Sequence, residues 1–149
     1  IIERHGRHEV ELSGDKLKLY LRPGTTPRAR RQALERYYRQ QLAARIPALI
    51  SKWEPRLGVK VAGWSIRRMK TKWGSCTIAA RRILLNTELA RTPEECLEYV
   101  VVHEMLHLLE RRHNERFRAL LDTHYPGWVQ KRMTLQSVST SQTHCAAKA

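Results

Sequence analysis

The sequence is short of cysteine, of acid and of long apolar runs, and each shortage excludes something. Its cysteines stand at Cys76, Cys96 and Cys145, with no C-x-x-C pair among them. An odd, scattered set argues against a disulfide framework and fits a reducing, cytoplasmic compartment. Acidic residues number 14 against 28 Lys plus Arg, giving a net charge of +14. Such a surface attracts anions, whether nucleic acid, phosphates or an acidic membrane face. The greasiest stretch, Tyr99 to Leu109, is interrupted by His103, Glu104 and His107, so no membrane span is expected. The N-terminus turns polar after Ile1-Ile2, unlike a signal peptide, and the missing Met at position 1 suggests a trimmed chain. What is present is a core: 42% of the 149 residues are hydrophobic, enough for one domain and too few for two comfortable ones. We expect a single domain over residues 1–137 and a flexible tail over 138–149, where Ser, Thr, Gln, Ala and Lys dominate.

Residues 9–21 alternate as a two-stranded hairpin, Val10 and Leu12 against Leu17, Leu19 and Leu21, with Ser13-Gly14-Asp15 as the turn and Arg22-Pro23-Gly24 as the stop. Thr26-Pro27 opens a long helix with Pro at its first position. Ala33, Tyr37, Ala44 and Ala48 fall near one face of it, Pro47 should kink or end it, and Gly58 is the next stop. Val59, Val61, Trp64 and Ile66 suggest one strand and Ile83-Leu84-Leu85 another. Thr92-Pro93-Glu94-Glu95 reads as a helix start with Thr92 as the cap, and the helix should run to about Arg111. Asn114 can cap a further helix holding Phe117, Leu120 and Leu121, and Pro126-Gly127-Trp128 separates it from a last short one ending near Leu135.

The chemistry lies in His103-Glu104-Met105-Leu106-His107, an H-E-x-x-H pattern on the second expected helix. Four residues advance a helix by about 400°, so the two histidines share a face and can reach one Zn²⁺. Glu104 points about 100° away, placed to take a proton from a metal-bound water without ligating. A catalytic zinc wants a third protein ligand and one open position. His113 is the best candidate, but a continuous helix would carry it about 240° round from His107. It ligates only if the helix ends between Leu109 and Arg112 and the chain folds back. The alternatives are His124, Asp122 and Glu115. His124 with Tyr125 could also present a donor to a tetrahedral oxyanion, against the plainer reading of a packed tyrosine and a surface histidine. His5, His8 and His144 sit in polar terminal stretches and read as solvated.

These residues together resemble the YgjP-like zinc metallopeptidase domain, which is similar to the wider SprT-like zincins. The resemblance is carried by Arg67-x-x-Lys70-x-x-Trp73-Gly74-Ser75-Cys76, Leu85-Asn86, Pro93, Tyr99 to His107, and His113-Asn114-x-x-Phe117, over roughly residues 20–134. It implies an α+β zincin-like fold, a small antiparallel or mixed sheet packed on an active-site helix, with a long N-terminal helix and short C-terminal ones. It implies one zinc per chain, with His103, His107 and His113 as ligands and Glu104 as the base. It places Trp73-Gly74-Ser75-Cys76 on a strand at the substrate cleft. Arg112, Asn114 and Arg118 depart from the residues usual in the family at those positions.

Trp73 offers an aromatic wall and Gly74 a close backbone approach. Ser75 and Cys76 have no general base placed beside them and read as structural or cleft-lining. Between Trp64 and Arg82 stand Arg67, Arg68, Lys70, Lys72, Arg81 and Arg82, with no acid. Arg67, Lys70, Lys72, Trp73 and Gly74 are therefore candidate substrate-binding residues. Three functions follow: a zinc peptidase cleaving a peptide or protein, a metal-dependent hydrolase of nucleotides, and a DNA-associated protease or basic nucleic-acid-binding module.

Overall fold

Thr26 starts the first helix: its Oγ1 accepts from Ala29 N at 3.2 Å, and Pro27 follows at the first helical position. The structure, a computed structural model, describes residues 24–138 in full and the backbone of residues 2–3, 9–13 and 16–21. The chain divides into two compact units, Ile1–Gln41 and Leu42–Ala149. In the first, β2 (Glu9–Ser13) and β3 (Lys16–Leu21) form the expected antiparallel hairpin, with Val10 opposite Leu19 and Leu12 opposite Leu17. A two-residue strand, β1 (Ile2–Glu3), adds to β3 in parallel, too short for any sequence pattern to announce. The expected turn at Gly14-Asp15, the stop at Arg22-Pro23, the terminal histidines, Cys145 and the expected tail beyond Val138 lie outside the described residues.

Helix α1 (Pro27–Leu57) continues through Pro47, where a kink or an early end was expected. Proline in a helix interior forfeits a backbone bond and costs about 3 kcal/mol. Ile46, Ile50, Trp53 and Leu57 are all buried, and each such side chain returns about 1.5–3 kcal/mol. In the second unit the buried face is thus Leu42, Ile46, Ile50, Trp53 and Leu57, while Ala44 and Ala48 are exposed, because larger apolar groups win the interior. Gly58 ends the helix at φ +69°, its N–H bonded to Glu54 O at 2.9 Å.

The second sheet is mixed, in the order β4-β6-β5. Strand β4 (Gly63–Arg67) lies parallel to β6 (Arg82–Asn86), and β5 (Gly74–Thr77) antiparallel to it. Val59 and Val61 fall just before β4, not in it. A 3₁₀ turn, Thr87–Arg91, then leads to α2 (Glu94–Leu106). Thr92 does not cap α2; its hydroxyl donates back to Leu89 O at 2.7 Å, serving the preceding turn. Helix α2 is buried nearly all round, as its apolar composition on every side requires. It packs against β5, β6, α3 (Glu115–His124) and α4 (Trp128–Val138). The expected α+β architecture, with a small mixed sheet on a central helix, is what the chain adopts.

Candidate metal centre and active site

Helix α2 ends at Leu106, a turn earlier than Arg111. From His107 onward the backbone tightens: His107 N bonds Glu104 O, Leu108 N bonds Met105 O and Leu109 N bonds Leu106 O. The cause is local competition. His107 Nδ1 lies 3.1 Å from the Glu110 carbonyl, and Glu110 N turns back to Leu106 O. The Glu110 side chain then fastens the reversal, accepting from Asn114 Nδ2 at 2.9 Å, Arg116 Nη1 at 2.7 Å and Arg112 N at 3.3 Å. Asn114 Oδ1 caps α3 by accepting from Phe117 N at 3.0 Å.

That reversal brings His113 to the two helical histidines. His113 Nε2 is 3.0 Å from His103 Nε2, and one ring nitrogen from each of His103, His107 and His113 lies within 4.8 Å of the others. Among the described residues this is the group of His, Cys, Asp or Glu able to hold a metal. The far side of two rings is already engaged: His103 Nδ1 is 3.4 Å from Tyr99 Oη, and His107 Nδ1 faces the Glu110 carbonyl. Such partners set tautomer and orientation, leaving Nε2 for a ligand. Buried Phe117 supports all three imidazoles, stacked on His107 at 4.6 Å and edge-on to His103 and His113 at 4.8 and 5.2 Å.

The donor chemistry fits a metal. Burial, then the neighbouring His107, His113 and Arg132, holds His103 well below the usual histidine range. Burial also lowers His107, against the opposing pull of the Glu110 carbonyl. Both are therefore neutral at neutral pH, the state that ligates. Nitrogens bound at roughly 2.0–2.1 Å in a tetrahedron stand about 3.3 Å apart, close to the His103–His113 separation.

Glu104 lies on α2 under β5. It is buried, and its Oε2 has no hydrogen-bond partner. Burial pushes its carboxyl up to about 8, with Lys72 pulling the other way. Gly74 explains how strand and helix come so close. A Cβ there would stand 2.9 Å from Val100 Cγ1 and 3.0 Å from Glu104 Cγ and Oε2. Cys76 is half-buried on the same strand, and burial with the Glu104 charge raises its thiol to about 11, far from a nucleophilic thiolate.

Arg67, Lys70 and Lys72 are exposed and line an open groove of about 450 Å³ together with Arg68, Thr71 and Ser75. Trp73 is a correction: it is fully buried in the core, so it presents no aromatic wall to solvent. Gly74 is buried too and acts through the space it leaves. The loop before Trp73 is held by Asn86, a hydrogen-bonding residue and not a catalyst, as its residue type suggests, although the sequence does not name its partners. Asn86, fully buried, donates from Nδ2 to Met69 O at 2.9 Å and Lys72 O at 2.7 Å, while its Oδ1 accepts from Glu88 N at 3.1 Å. The alternative ligands stand elsewhere: Asp122 Oδ1 accepts from Trp128 Nε1 at 2.7 Å, and neither His124 nor Glu115 joins the described cluster. Tyr125 Oη donates to Glu95 O at 3.0 Å, which makes it a packing residue and not an oxyanion donor.

An H-E-x-x-H helix with a third histidine folded alongside, under a small mixed sheet, defines a metallopeptidase architecture. The chain belongs to the family of the YgjP-like metallopeptidase domain, whose pattern matches residues 1–138, a longer span than the quoted motifs cover. It is a metallopeptidase, acting on peptide or protein. The fold is similar to that of abylysin, a metallopeptidase zymogen of Pyrococcus abyssi (TM-score 0.57, 19% identity, 67% of this chain and 97% of that one). It is also similar to jannalysin, a metallopeptidase zymogen of Methanocaldococcus jannaschii (TM-score 0.53, 20% identity, 64% of this chain and 96% of that one). No curated protein matches the chain. Among the described residues, no helix is long and apolar enough to cross a membrane.

Proposed function

We propose that the chain is a zinc peptidase with one zinc per chain, held by His103, His107 and His113, and with Glu104 as its general base and acid. The convergence of three imidazoles on one point carries this reading. Zinc, when bound, supplies a Lewis acid that acidifies water and polarises a scissile carbonyl. Glu104 takes the proton from the attacking water at its carboxylate and passes it to the leaving amine. Its unpartnered Oε2 suits a group that must exchange a proton, and a nearby dication would draw its raised affinity for the proton back toward neutrality.

The sheet supplies a path for the substrate. Among the described residues no strand pairs with the outer edge of β5, and an extended peptide can add there as a further strand. Lys72, next to β5, and Lys70 in the same loop would then meet the acidic or carbonyl groups of that peptide, whereas Arg67 ends β4 at the opposite edge of the sheet. The nucleotide hydrolase and the DNA-associated protease rest on positive charge alone, whereas the edge strand favours a peptide. We assign the activity to residues 1–137, with 138–149 as a tail, and place the protein in the cytoplasm on the free thiols of Cys76 and Cys96. The test is casein cleavage by zinc-loaded protein and by Glu104→Gln. We expect the variant to keep its zinc and lose at least about a hundredfold in rate, the lower end of general-base contributions. Equal activity in the two proteins would overturn the assignment of Glu104.

A further inference from the structure

Beside the histidine cluster, α2, α3 and α4 enclose a cavity of about 210 Å³. One wall is His103 and His113 themselves. The floor is Tyr99, Phe117, Leu121 and Trp128, all buried. The polar atoms of that floor are already spoken for: Tyr99 Oη faces His103 Nδ1, and Trp128 Nε1 donates to Asp122. An occupant therefore meets an apolar surface below. The rim carries Arg118 from α3 and Arg132 from α4, both exposed. The ion pairs among the described residues are Arg39–Glu35, Lys52–Glu98, Arg91–Glu88 and Arg116–Glu110, and they leave both rim arginines out. Arg132 lines the same cavity as Tyr99 and His103, so its charge faces the space they enclose.

An apolar floor, a cationic rim and a wall of candidate ligands describe one occupant. We propose that this cavity is the subsite for the substrate residue flanking the scissile bond, and that Arg118 and Arg132 select a carboxylate carried on a short apolar stem. The inference rests on the peptidase reading and deepens it. The volume holds about seven waters at roughly 30 Å³ each, room for a glutamate-sized side chain. Guanidinium groups match carboxylates in geometry and charge, and a lysine side chain would be repelled. The carboxylate can come from an acidic side chain or from the C-terminus of a peptide, and the two are separable.

Binding is measured by NMR titration of zinc-loaded Glu104→Gln with acetyl-Glu-amide, acetyl-Leu with a free carboxylate, and acetyl-Gln-amide. We expect one carboxylate probe to bind about tenfold more tightly than the Gln probe, the scale of a charge-assisted hydrogen bond. Tighter binding of acetyl-Glu-amide identifies a side chain; tighter binding of acetyl-Leu identifies a C-terminus. The Arg118→Ala/Arg132→Ala double variant should lose the preference, and direct carboxylate ligation of the zinc would survive it. The wild-type protein should show the same preference in kcat/KM for peptides carrying Glu over Gln, and Arg132→Glu should turn it toward Lys. Equal binding of all three probes, or a preference that survives in the double variant, would overturn the subsite. Hydrolysis without a charge preference removes the subsite and keeps the peptidase. A carboxylate preference with no hydrolysis of any peptide removes the peptidase, and the substrate role with it.

Discussion

His103 and His113 face the same point from opposite circumstances. His103 is fixed by a helix buried nearly all round, with Tyr99 behind its ring. His113 is exposed on a turn, and the Glu110 carboxylate network brings it within 3.0 Å of His103. The first position is set by the core and the second by hydrogen bonds at the surface. A site assembled this way has a rigid half and an adjustable half, and damage to each should read out differently.

The sharpest break is substitution of the ligands themselves. His103→Ala should abolish zinc binding and peptide cleavage together, with the fold kept. His113→Ala should weaken zinc by orders of magnitude yet leave a detectable two-histidine site, measured by competition with a chelator.

Next in size are the groups that seat β5 and its loop beside Glu104. Asn86→Ala leaves the carbonyls of Met69 and Lys72 without their donor and should cost about 2–3 kcal/mol in urea unfolding. Gly74→Ala forces a methyl against Val100 and Glu104 and should cost about 1–3 kcal/mol, with a fall in activity at unchanged zinc content. Equal loss of zinc in Gly74→Ala would show that β5 shapes the rigid half of the site as well.

Glu110→Ala tests the adjustable half. It removes the acceptor for Asn114, Arg116 and Arg112 and should lower zinc affinity about tenfold, the usual scale for groups that orient a ligand. His103→Ala should not respond further to it, since no ion remains to be held.

The smallest effect lies away from the site. Burial would raise Glu98, but hydrogen bonds from Lys52 at 2.7 Å and Trp53 at 2.9 Å outweigh it and hold its carboxyl below the usual range. A depressed acid stabilises the fold above its unfolded pKa, and that stability is lost as pH falls through the lowered value. Lys52 is partly exposed, so the contribution is about 1 kcal/mol or less. Glu98→Gln should flatten this acid limb of the stability profile and leave zinc binding unchanged.

How much of this was legible in the sequence divides along the same line. The H-E-x-x-H helix, the Asn114 cap and strand β6 announce themselves through neighbours a few residues apart. The third ligand was readable only as a condition, because the end of α2 depends on His107 bonding the Glu110 carbonyl instead of continuing the helix. Thr92 has the sequence of a cap, yet an unannounced 3₁₀ turn claims its hydroxyl. Pro47 has the sequence of a break, yet the core beyond it outweighs one lost bond. Trp73 and Asn86 depended on long-range packing. Nothing local says that an indole between Lys72 and Gly74 is buried, or that one amide holds a loop that begins 17 residues earlier.

The most direct test of the account is the zinc content of untagged protein prepared without chelator, measured by mass spectrometry together with that of His103→Ala and His113→Ala. The account predicts about one zinc per chain in the wild type, none in His103→Ala and a reduced, chelator-sensitive fraction in His113→Ala. Folded wild-type protein that takes up no zinc when it is offered, or full occupancy in His113→Ala, would contradict it.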